Sequence, residues 1–397
     1  MREIKLHSPK KSDRILDITI ICATVFLLTF AFYQQLSFFF LENISDELKP
    51  VVDYIPFWAA GKLAYTGQSA VVYNLEIIKQ TERVVIPTLQ NYLPWLNPPT
   101  FLVVMNVLGA FEFATSFGIW TVLTTFFYLI TAWCLFPNRY TFLCAAFFPP
   151  FIFSFLIGQT GALTASLTII ALLNCEKRPF MAGILIGLLA IKPQTAVLIP
   201  VAFVASRNWK AFISATCSTF IFIVMTIVLY GTEIWHSFYI NTLRHNNIIL
   251  SKTYNDYYLQ SLYGFFQYLE LNTDIALIIQ GIFAVISVAI VYICWSCKWL
   301  ALNNKITVLV VCTLMLQSYT VIYDFTVLYF AIILLIKFPF YHTSFYKRTG
   351  IIALGSSFFL FLMYLKEPGG FFLCVFLLAV VAADMRAEYK IRNVSAT

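Results

Sequence analysis

The sequence predicts an all-α, polytopic membrane protein of about 11 to 13 helical segments. Three observations carry that prediction. Hydrophobic residues fill 60% of the 397 positions and charged residues 11%, whereas a soluble domain carries about 25% charged residues. Mean hydropathy is +0.81. Apolar runs recur along nearly the whole chain, and a helix needs about 20 residues to cross a hydrocarbon layer ~30 Å thick.

In chain order, the first run is 15–41, preceded by Arg2, Lys5, Lys10, Lys11 and Arg14. It is too long for the apolar region of a signal peptide, and no small-residue cleavage site follows. It reads as a retained anchor with a cytoplasmic N-terminus, since basic flanks stay inside. The polar stretch 42–98 then lies on the outer side as a first outer loop. Within it, Tyr54, Phe57, Trp58, Gly61 and Leu63 to Tyr65 follow helical spacing, and Gly67 suits the stop. Asn74 is an acceptable N-cap for a second short helix through "LEIIKQTERVV". Short amphipathic helices of this kind lie along a membrane surface. Pro98 and Pro99 force an extended approach to the next run.

The later runs are 100–111, 115–136, 140–157, 161–173, 180–205, 211–230, 274–296, 299–316, 325–336, 349–365 and 371–383. Several are too short to cross alone, so some segments are broken or re-entrant. Lys177 and Arg178 before 180–205, and Arg207 and Lys210 after it, all favour the cytoplasmic side. If both ends lie there, the run is a hairpin of two half-helices with "IKPQT" at its tip, where Pro193 breaks the helix. The stretch 231–260 is a second outer loop, and no internal repeat divides the chain, which reads as one integral membrane domain, 1–397.

Net charge is +7, but the basic residues are scattered over segment ends. Positive-inside flanks explain this pattern, and no nucleic-acid partner is implied. Most of the nine cysteines sit in apolar runs, so no disulfide framework is implied. Cys294 and Cys297 read as packed thiols at a helix end. No zinc site, phosphate-binding glycine loop or serine triad stands out, and neither a metal nor a cofactor is expected.

A charged side chain inside a bilayer costs at least ~2.5 to 3.5 kcal/mol, which makes the exceptions informative. Lys192 stands in an apolar run beside Pro193 and Gln194 and suits an anionic ligand such as a lipid phosphate. Asp324 opens a late apolar run, where it can be an interfacial N-cap or a site residue. Gly158, Gln159 and Gly161 in "LIGQTGALTAS" permit close backbone approach and present one amide. Asp53 stands at the outer boundary beside aromatic residues, and Arg244 in the second outer stretch can pair with phosphate.

Taken together, Asp53, "WAAGKLAYTG", "VVYN", "NPPTFLVV", "GQTGAL", "AGILIGLLAIKPQ" with "SRNWK" after it, and "LQSLYGF", in that order, resemble the GT-C membrane glycosyltransferases. Among these the closest likeness is to glycosyltransferase family 87, whose members use polyprenol-phosphate-mannose. The resemblance implies a GT-C-like fold and a sugar, mannose, moved from a polyprenyl-phosphate donor to a glycan or glycolipid acceptor by a single inverting displacement. It places the enzyme in the cell (inner) membrane, in contact with membrane lipid. It makes Asp53 the general base. Lys192, Gln194, Gln159 and Arg244 would meet the donor phosphate, and Tyr54, Trp58, Tyr73, Gln260, Ser261 and Asp324 the substrates. Where the family often has a histidine near the late aspartate, this chain has Tyr323. The alternative is a transporter or flippase using Lys192 and Asp324 within broken helices. It predicts related halves, which the sequence lacks.

Overall fold

The structure is a computed structural model that describes residues 53–87, 93–250, 259–337, 345–365 and 367–394. The expected first span, 15–41, and its basic flank lie outside the described residues, as do 42–52 of the first outer stretch. Among the described residues there are 17 α-helices and no strand.

Helices α1 (Tyr54–Tyr65) and α2 (Leu75–Arg83) fill the first outer stretch. The Asn74 carboxamide oxygen accepts from the backbone N–H of Glu76 and Ile77, which starts α2 as its N-cap. Pro98 is extended, and α3 (Pro99–Leu108) begins at the next proline. Its 10 residues make it about 15 Å long, so the run expected at 100–111 does not cross a membrane. It packs instead across α1, where a side chain on Gly61 would strike the backbone of Met105. The following α4 (Phe113–Leu135) is long enough to cross. The run expected at 140–157 is two helices, α5 (Arg139–Ala146) and α6 (Pro149–Ile157), because Pro149 and Pro150 cannot continue a helix from α5. Gly158, in the left-handed region at φ 72°, turns the chain into α7 (Gly161–Asn174).

The run at 180–205 is the hairpin its flanking charges suggested. Helix α8 (Pro179–Leu188) rises into two 3₁₀ turns, Leu189–Ile191 and Pro193–Ala196, and α9 (Ile199–Ala205) returns. The next helix, α10 (Trp209–Tyr230), rises again alongside α8. Their register shows this: Gly183 faces Ser214 and Gly187 faces Ser218, both numbers increasing together, so α8 and α10 are parallel and α9 between them must descend. The Asn208 side chain donates to the Cys175 carbonyl at 2.7 Å and ties the two feet of the hairpin together. Small residues four apart on both helices let the backbones approach closely where lipid offers no hydrophobic drive. Ser214 and Ser218 complete the contact by donating to the carbonyls of Phe180 and Ile184. Gly187→Val therefore overpacks this seam: the added β-carbon alone would strike the Ser218 side chain. The expected cost is about 1 to 3 kcal/mol, read as a lowered Tm of the detergent-purified protein.

The stretch expected as a second outer loop, 231–260, carries α11 (Glu233–Leu250). Then follow α12 (Leu262–Tyr268), α13 (Thr273–Ser296), α14 (Leu302–Leu316), a 3₁₀ turn at Ile322–Val327, α15 (Leu328–Lys337), α16 (Phe345–Tyr364) and α17 (Gly369–Val394). Helices α4, α10, α13 and α17 are long and apolar enough to cross a membrane, and shorter apolar helices fill the space between them. The protein is thus a multi-pass membrane protein. Two cores form. One joins α1 and α3 through Phe57, Trp95, Phe101 and Trp120; the larger surrounds α7, α14 and α15. The hairpin tip belongs to both, Leu189 to the larger core and Ile191 to the other. That seam holds the site.

Candidate functional site

Asp53 is the N-cap residue of α1, but its side chain makes no capping hydrogen bond. The carboxylate instead turns away, and its Oδ2 accepts from the Gln159 amide at 2.9 Å. Burial pushes the Asp53 carboxyl up from its ordinary 3.8 to about 6, against the opposing pull of the Gln159 hydrogen bond and the Lys192 charge. The residue as a whole is half-buried.

Lys192 sits at the hairpin tip because Pro193 follows it. Proline denies its predecessor the helical region, and Lys192 is accordingly extended, with φ −146° and ψ 73°. Its ammonium forms an ion pair with Oδ1 of Asp324. The same ammonium stands 4.7 Å from the centre of the Tyr323 ring, a cation–π contact. Only 8% of Lys192 is exposed. Asp324 is fixed in turn, since its Oδ2 accepts from the Val321 N–H at 3.0 Å. The Tyr323 ring lies nearly parallel to Phe153 of α6. Residues 106 and 132 positions apart therefore meet: Asp53 with Gln159, and Lys192 with Asp324.

Beside Asp324 opens a small cleft of about 30 Å³, lined on its polar side by Thr164, Thr168, Thr195, Thr313, Gln317 and Asp324. Three of the threonine hydroxyls donate back to backbone carbonyls within their own turns, so each keeps its acceptor capacity. Threonines at 164 and 168, about one turn apart in α7, share one face, which was the signal for this wall in the sequence.

Of the remaining candidates, Tyr54 adjoins Asp53 and Gln194 adjoins the hairpin tip. The Tyr54 hydroxyl is 2.6 Å from that of Ser116, and its ring packs among Phe113, Phe117 and Trp120. Trp58 donates to the Phe111 carbonyl and Tyr73 to that of Asn97. Gln260 accepts from the Gly370 N–H, and Ser261 caps α12 by accepting from Gly264. Each of the five thus has a side-chain hydrogen bond within the fold. Gln194 is exposed beside the tip, and Arg244 is exposed on α11. Glu82 is a buried carboxylate that the sequence reading passed over. It accepts from the Leu93 N–H at 3.2 Å, and burial raises it to about 8. Its spacing of four from buried Ile78 placed it on the inner face of α2.

No curated protein matches the chain, and no solved structure does. The model of glycosyltransferase family 87 matches residues 95–321, more than half of the sequence. That segment holds Gln159, the hairpin and Lys192, the whole of α3 to α14 and most of the cleft wall, while Asp324 stands three residues beyond one end and Asp53 42 residues before the other. The matched segment thus builds the scaffold that brings Asp53 and Lys192 to one place, and this chain belongs to glycosyltransferase family 87.

Proposed function

We propose that the protein transfers a mannose residue from a polyprenyl-phosphate carrier to a hydroxyl of a glycan or glycolipid at the outer face of the cell membrane. The N-terminus lies in the cytoplasm and Asp53 on the opposite side, as the basic flank of the first run directs. One observation carries the reading: a carboxylate with a pKa near 6 and a buried ammonium lie within electrostatic reach of each other at one seam.

In the reaction, the acceptor oxygen attacks the anomeric carbon while Asp53 takes its proton. A new C–O bond forms, the bond from the anomeric carbon to the phosphate oxygen breaks, and the electron pair leaves with the lipid phosphate. The anomeric centre inverts. Because the leaving group departs as an anion, no acid has to protonate it. A base poised near neutral pH suits the first need, and the Lys192 ammonium, aimed where the phosphate gains charge, suits the second. Asp324 and the Tyr323 ring hold that ammonium in place. The threonine-lined cleft offers acceptors to sugar hydroxyls.

The test is to incubate the detergent-purified protein with labelled polyprenyl-phosphate-mannose and candidate acceptors. Mannosyl transfer without a sealed bilayer is the expected result. A transporter or flippase would give none in that assay, and absence of any transfer across donors and acceptors would overturn the proposal.

A further inference from the structure

Gln159 is held at four points. Its backbone N–H donates to the Ser154 carbonyl at 2.9 Å, and its own carbonyl accepts from the Ser154 hydroxyl at 3.2 Å. In the side chain, Oε1 accepts from the Thr160 N–H at 3.2 Å and Nε2 donates to Asp53 at 2.9 Å. An amide has one acceptor end and one donor end. With the oxygen engaged by a backbone donor, the NH₂ can only face the carboxylate. The residue before it strengthens the arrangement. Gly158 adopts φ 72°, and its carbonyl accepts from the Trp120 indole at 2.8 Å. A β-carbon at Gly158 would lie 2.7 Å from both Phe117 and the β-carbon of Tyr54, the neighbour of Asp53. The turn that carries Gln159 is thereby locked against the start of α1.

We propose that Gln159 is the positioning residue for the base: by holding Oδ2 of Asp53 it turns Oδ1 toward the acceptor hydroxyl and favours the charged, proton-accepting carboxylate. This rests on the reading of Asp53 as the base. A hydrogen bond to the charged form of an acid lowers its pKa, and losing that bond lets the pKa rise. The surroundings leave few other causes of a shift among the described residues. Lys192 faces Asp53 from the hairpin tip with Asp324 behind it. The Tyr54 phenol is turned to Ser116. Helix α3 has no titratable side chain, and those of α4, Tyr128 and Cys134, lie toward its far end; α2, packed on α1, carries Glu76, Lys79, Glu82 and Arg83, of which Glu82 accepts from the Leu93 N–H.

The experiment is the pH dependence of kcat/KM for mannosyl transfer by the purified full chain, its Gln159→Met and Gln159→Glu variants, and Asp53→Asn. Wild-type activity rises with pH through the pKa of the base. Gln159→Met keeps the length of the side chain and removes the donor, so the rising limb moves about one unit toward alkaline pH. With the wild-type limb near 6, that means a loss of about tenfold at pH 5 and about fivefold at pH 6, vanishing by about pH 9. Gln159→Glu, which keeps size and polarity, sets a second carboxyl against the first and moves the limb at least as far. A limb at the wild-type pH in both variants, with or without a uniform loss, overturns the positioning role and leaves Asp53 as the base. Full transfer by Asp53→Asn overturns the base reading itself, and the role of Gln159 falls with it.

Discussion

Asp53→Asn is expected to lower the rate of sugar transfer by about 10²- to 10⁴-fold, the usual contribution of a positioned general base. The asparagine keeps the shape of the side chain and cannot take a proton. Folding supplies the control. The folded protein holds the Asp53 carboxyl above its ordinary value, so it binds a proton more tightly than the unfolded chain does. Whatever stability this group contributes is therefore complete below pH 4 and lost as pH rises through about 6. At pH 7 the neutral asparagine relieves that cost, and the variant should melt at the same temperature as wild type or higher. A lost activity with an unchanged or raised Tm identifies a chemical defect; a lowered Tm would mean that the carboxylate holds the fold.

The second large effect belongs to the ion pair. Lys192→Met removes the ammonium and leaves the Asp324 carboxylate, 8% exposed, without its cation. Breaking a buried pair from one side costs about 3 to 5 kcal/mol, much more than replacing both partners together. The double variant Lys192→Met/Asp324→Asn should therefore recover most of the lost thermal stability. It should not recover transfer, because the phosphate still lacks its cation. The two readouts, Tm and turnover with labelled polyprenyl-phosphate-mannose, separate in that one protein. If the double variant regains wild-type kcat and donor KM, Lys192 serves the fold alone.

The charges of this site were legible in the sequence because each was out of place: Lys192 within an apolar run and before a proline, Asp324 at the start of another, Asp53 beside aromatics at the edge of the first outer stretch. The hairpin could be read because the basic residues at its two feet require the same side. What the sequence withheld was pairing. The periodicity of one helix does not reveal which residue of another it faces, and Gln159, expected at the phosphate, has its amide on Asp53. Tyr54, Trp58, Tyr73, Gln260 and Ser261 have the right chemistry for substrate contact, yet their hydrogen bonds close on neighbouring backbone or hydroxyl groups. The split of 140–157 was available in Pro149 and Pro150 but hidden by the hydrophobicity around them.

The hairpin also acts as a ruler. Its rising arm is 10 residues of α-helix and one three-residue 3₁₀ turn, which at about 1.5 and 2.0 Å per residue reaches about 21 Å. A hydrocarbon layer is ~30 Å thick, so, with the feet at the inner face as the flanking charges predict, the tip would stand short of the far side and the layer above it would set how far the donor headgroup must sink. Acyl chain length then becomes a control on turnover. In bilayers of increasing thickness, donor KM should climb while the protein stays folded. A KM indifferent to thickness would mean that the headgroup reaches Lys192 from water rather than through the membrane.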